Sequence, residues 1–191
     1  MFDLIDAELP TRGHLAFHVG SPNVLSDEVI PAVPGEFYAY SATFTPDRPI
    51  YALMKCKAKK DRAISALLDL GGEANLFLKF NLGKVEVFPV KIAQAAGLLG
   101  DVKHQGTCDE TETWIARVDL ADGEFHKLYS QKNIEALLKM SQVANVRRED
   151  SITLAVGMTI AVATPHGKHG LFLVQELTST MVRVEACHIL L

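Results

Sequence analysis

The chain has 191 residues, a net charge of −4 and a pI of about 6.0, with 48% hydrophobic and 22% charged residues. That length is one domain or two small ones with a sizeable core, and the composition excludes a disordered chain. The acidic balance argues against broad phosphate-backbone binding, which needs a basic face.

Met1–Glu8 carries three acids and no basic residue, so it does not read as a secretory signal. No 18-residue apolar run is present, which argues against a membrane span. Cys56, Cys108 and Cys187 are odd in number and far apart, unlike a disulfide framework. A reducing, cytoplasmic setting is the expectation.

In chain order, residues 13–20 read as a short strand, and residues 20–35, with Pro22, Pro31, Pro34 and Gly35, as a loop. Glu36–Thr45 and Ile50–Lys57 read as a strand pair joined through Pro46 and Asp47. Asp61 is a suitable N-cap for a helix carrying Ile64, Leu67 and Leu68, with Gly71 as its stop. Leu76, Leu78 and Phe80 alternate with Asn75, Phe77 and Lys79. The alternation resumes at Val85 and Val87 after Asn81-Leu82-Gly83, which predicts a hairpin.

Residues 90–99 have helical spacing in Ile92, Ala95, Ala96 and Leu99 but remain ambiguous, and 100–110 read as loop. Thr111–Leu120 is a strand around Trp114. Ser130 is the expected cap of a helix whose buried stripe is Ile134, Leu137, Leu138 and Ser141. Residues 64–75 and 134–145 match at six of twelve positions, which either records a duplication or reflects the reuse of Ala and Leu as helix formers.

The end of the chain gives three strands, Ser151–Ala163, Leu171–Leu177 and Met181–Leu191. Their short joints make them an antiparallel meander with Leu171–Leu177 in the centre. Val182, Val184, Ala186, His188 and Leu190 share one face of the last strand. Arg183 and Glu185 share the other with Cys187, Ile189 and Leu191, so that face turns from polar to apolar. Its far end should therefore pack against something.

Candidate sites are few. His166, Lys168 and His169 sit together on the loop tip of the first meander turn, where two imidazoles and an ammonium could hold an anion or the imidazoles help to bind a metal; the competing reading is a solvated hairpin tip. A metal site needs three or four convergent ligands, and none is expected. His14 and His18 on a strand would lie about 13 Å apart, too far to share an ion. His104 and Cys108 share a glycine-bearing loop, but their spacing fits no nucleophile pattern. Lys55, Lys57 and Lys59 alternate, either as a basic binding face or as a charged strand edge that blocks aggregation. Phosphate loops, nucleophile elbows, HExxH and CxxC motifs do not occur.

The expected fold is α+β, mostly antiparallel strands with two or three short helices, ending in the three-stranded meander. Residues 1–150 would form the main α+β domain and 151–191 a meander packed on it. The leading functional expectation is a non-enzymatic binding or assembly module, with His166, Lys168 and His169 as ligand-binding candidates. No catalytic residue or cofactor is assigned, and a homo-oligomer or protein partner is expected. The alternatives are a small-molecule or hydrolytic enzyme using convergent His, Cys and Asp groups, and a nucleic-acid binder through the lysine strand.

Overall fold

A computed structural model describes residues 33–47, 49–51, 75–99, 112–121 and 123–191. The readings that rest on His14, His18, Lys55, Cys56, Lys57, Lys59, Leu67, Leu68, His104 and Cys108 lie outside these residues. So does the first half of the suspected duplication.

The fold is α+β, built on two antiparallel sheets. The larger has the order β1-β9-β8-β7-β5, with β1 Tyr38–Phe44, β5 Trp114–Val118, β7 Thr159–Ala163, β8 Lys168–Leu177 and β9 Val182–Leu190. The smaller has the order β2-β3-β4-β6, with β2 Ile50–Tyr51, β3 Leu76–Asn81, β4 Lys84–Pro89 and β6 Ile152–Thr153.

Period-two alternation decides how the sheets stack. Leu76, Leu78, Val85 and Val87 of the small sheet bury one face. They meet Ile115, Ile160, Val162, Phe172, Val174, Val182, Val184 and Ala186 of the large sheet in one core. The outer face of the small sheet carries Phe77, which packs with Val90 and Ala93 of helix α1, Val90–Ala95, and with Leu99. Residues 90–99 thus resolve as a short helix followed by turns.

The outer face of the large sheet is covered by three helices: α2 Glu124–Gln131, α3 Ile134–Ser141 and α4 Val143–Arg147. Phe125, Leu128, Leu137 and Ala144 from the helices pack on Ala116, Ala161, Ala163, Leu171, Cys187 and Ile189.

Several expectations change here. The predicted single helix after Ser130 is two, α3 and α4, and Ser130 itself belongs to α2, where it donates to the Lys127 carbonyl. The cap of α3 is Asn133, whose Oδ1 accepts from the Ala136 amide at 3.0 Å. In the predicted stripe, Leu137 and Ser141 are fully buried, Leu138 is half-buried and Ile134 is exposed.

Among the described residues, the predicted pairing of Glu36–Thr45 with Ile50–Lys57 is not formed. β1 pairs with β9, from Tyr38 opposite His188 to Phe44 opposite Val182, whereas β2 pairs with β3 in the other sheet. Both partners satisfy alternation equally well, and only packing selects between them.

Ser151–Ala163 is likewise two strands. Thr153 closes the small sheet against Glu86, and the chain then crosses through Leu154–Met158 to enter the large sheet at Thr159. Gly157 at φ 82° makes the crossing turn, a conformation open to glycine without a Cβ clash. The meander itself is as read: β8 pairs with both β7 and β9. It forms the middle of the large sheet, with β1 and β5 outside it.

The edge of β5 is sealed. The Glu149 amide donates to the Ile115 carbonyl at 2.8 Å, and the Glu149 carboxylate accepts from the Arg117 amide at 2.8 Å. Arg148 holds this segment down by lying over the Trp114 ring, 4.1 Å from its centroid.

Candidate functional site

The first meander turn places its polar residues apart. His166 is exposed in the turn, while Lys168 and His169 are the first residues of β8 and project to opposite faces. His169 points to the helices and is buried, with Nδ1 3.0 Å from the Ser141 hydroxyl. Ser141 also donates to the Leu138 carbonyl at 3.1 Å. A hydroxyl has one proton, so the arrangement satisfying both contacts has His169 Nδ1–H donating to Ser141. Burial lowers the His169 pKa and keeps the ring neutral. His169 thus ties β8 to α3, and the three candidates do not converge on one point.

Lys168 faces the inner layer and is half-buried. Near it on that face lies His188, buried at 5% exposure. Tyr38 stacks on the His188 ring at 4.9 Å and 19°, and Tyr40 meets it edge-on at 5.3 Å and 70°. Gly170 is the residue opposite on β8 and adds no side chain there. His188 Nδ1 is buried without a hydrogen-bond partner. Burial, and then the Lys168 charge, push the His188 pKa down to about 4.

Main-chain hydrogen bonds knit this end of the sandwich. The Gly35 amide donates to the Leu190 carbonyl at 2.8 Å, and the Leu191 amide to the Gly167 carbonyl at 3.0 Å. The Tyr38 hydroxyl accepts from the Val33 amide and donates to the Glu36 carboxylate, both at 2.8 Å. Gly167, at φ 74°, fits closely: a Cβ there would lie 3.2 Å from the Leu191 Cβ. Val33 and Leu191 remain exposed at 53% and 62%. Val33, Glu36, Lys168 and Leu191 thus lie on segments that these bonds tie to one another.

Cys187 lies on the opposite face of β9 from His188, so the adjacent pair cannot act together. Burial pushes its thiol up to about 12, which leaves it unreactive. The sequence reading missed a second polar group, on the stretch of the outer face bearing Arg183 and Glu185. There His126 Nδ1 lies 3.2 Å from Glu185, and Gln175 donates to the same carboxylate oxygen at 3.0 Å. Burial and the Glu185 charge raise the Tyr129 pKa. No local motif marks this group, because α2, β8 and β9 are joined only by the fold. Among the described residues no three His, Cys, Asp or Glu side chains gather as a metal site requires. Nor is any helix of these residues long and apolar enough to cross a membrane.

No family model and no curated protein matches the chain. Among solved structures, a DUF4466 family protein from Parabacteroides merdae is similar, with a TM-score of 0.55 at 12% sequence identity. The match covers 82% of this chain and 54% of that one, so the chain spans about half the length of that protein. At this identity the likeness is one of fold.

Proposed function

We propose that the domain is a non-enzymatic binding or assembly module, and that the braced end of the sandwich is its contact surface. The observation behind this reading is that exposed Val33 and Leu191 stand on segments, also carrying Glu36 and Lys168, that hydrogen bonds hold together at this end. A rigid surface forfeits little entropy on association. Its two charges have opposite signs, so two copies related by a twofold axis would set Lys168 of each against Glu36 of the other. The partner is therefore a second copy of the chain. The buried side chains point the same way. His169, His188 and Cys187 are committed to the interior, where a largely buried neutral imidazole or a thiol with a raised pKa is poorly placed for catalysis.

Sedimentation equilibrium over a range of concentrations tests the reading. Self-association of the wild type and a monomer for the Val33→Asp, Leu191→Asp double variant are expected. A wild type that stays monomeric throughout rejects assembly through this end.

One observation favours an enzymatic alternative. Glu185 holds Nδ1 of a His126 side chain that is 57% exposed, leaving Nε2 free for proton transfer. Hydrolysis of a simple nitrophenyl ester that His126→Ala abolishes would support it.

A further inference from the structure

We propose that His188 is an acid-operated latch: when its ring gains a proton, the Tyr38–Tyr40 end of β1 comes away from β9. This device does not depend on what this end of the sandwich binds. It rests on the surroundings of one ring.

The neutral ring is well placed, stacked on Tyr38, met by the edge of Tyr40, and given room by Gly170. The protonated ring is not. An imidazolium carries two N–H donors, and Nδ1 is buried with no acceptor in reach. The titratable and charged groups that face it, among the described residues, are Tyr38 and Tyr40 from β1 and Lys168 from β8. Glu36 stands one step away, on the Tyr38 hydroxyl. Lys168 is the charged neighbour, and it repels a second cation. The tyrosine rings offer some cation–π attraction, which is weak beside the loss of hydration of a buried ion. An unpaired buried ion is costly and Lys168 adds repulsion, so the unfavourable side wins.

The strain falls on one place. Tyr38 and Tyr40 are the β1 side chains that touch the ring, whereas Phe44, at the other end of β1, is buried in the main core. Opening the Tyr38–Tyr40 end lets water reach Nδ1 and leaves Phe44 seated.

The sign follows from linkage. The folded ring, with its pKa near 4, holds fewer protons than an unfolded histidine near 6.5. The stabilisation is complete above about pH 6.5, falls as the pH drops, and is gone near pH 4. Across that window the closed form loses about 300-fold against the open one.

NMR titration of the whole chain from pH 7.5 to pH 4 provides the test. The His188 ring should titrate below pH 5, and the Tyr38, Ala39 and Tyr40 amides should move with the same midpoint while those of β7 and β8 stay in place. Lys168→Gln should raise the midpoint by relieving the repulsion. His188→Phe keeps an aromatic ring in the stack and should abolish the β1 transition. If that variant fails to fold, the Lys168→Gln shift decides. A ring that titrates near 6.5, loss of β1 and β8 signals together, or an unmoved midpoint in Lys168→Gln would overturn the latch.

Discussion

At the scale of single residues, neighbours in sequence take opposite roles according to face. Leu137 is fully buried under the helices, while Leu138 next to it is only half-buried. Leu137→Ala should therefore destabilise by ~2–5 kcal/mol, the range for a core cavity. Leu138→Ala should cost about 1 kcal/mol. Denaturant melts of the two variants check the order, and an equal loss would show that α3 is rotated from its described phase. Leu137 and Ser141 were legible because spacing at i, i+4 marks a helix face, but the phase of that face depends on what covers it. Ile134 fits the same spacing and stays exposed, since the sheet lies under the Leu137–Ala144 side. His188 was legible as an imidazole on an apolar face. Its tyrosine neighbours were not, because they arrive on a strand far away in sequence.

At the scale of elements, the local units were the readable ones. The β3–β4 hairpin and the β7–β8–β9 meander carry their turns and their alternation within a few residues, so short-range rules suffice. The partners of β1 and β2 depend on register between distant segments, which no short-range rule fixes. Helix α2 leaves little trace in the sequence because it buries only Phe125 and Leu128, and because its start relies on Gly123 rather than a side-chain cap. Nor did the sequence reveal that Glu149 serves as a false neighbour strand for β5, one amide and one carboxylate replacing a ladder. Glu149→Ala removes the acceptor of the Arg117 amide and opens that edge. Open edges recruit other chains. The variant should thus aggregate faster than wild type under mild heating, as read by light scattering. Equal aggregation rates would show that the edge is guarded by other means.

For the molecule as a whole, β9 is the central tie. It pairs with β1 on one side and β8 on the other, and its side chains enter both the core between the sheets and the core under the helices. This answers the sequence puzzle of a face that changes from polar to apolar: the helices cover Cys187 and Ile189 but leave Arg183 and Glu185 half-buried or exposed. Removing His188–Leu191 should lower the melting temperature by several degrees, because it strips a buried isoleucine, the stacked imidazole and the carbonyl that Gly35 bonds. Calorimetry of the truncated chain checks this, and an unchanged Tm would show that the tail is not docked.

The pairing of Phe44 with Val182 spans about 140 residues of chain. During synthesis, β1 leaves the ribosome long before its partner exists. At a rate of about 5–20 residues per second, it waits roughly 7–28 s. The β3–β4 hairpin can form as soon as it emerges, whereas the large sheet must close late, across a costly loop. Through that interval Tyr38, Tyr40 and Phe44 wait without their β9 partner, and a segment in that state is open to pairing with other chains until the final residues arrive.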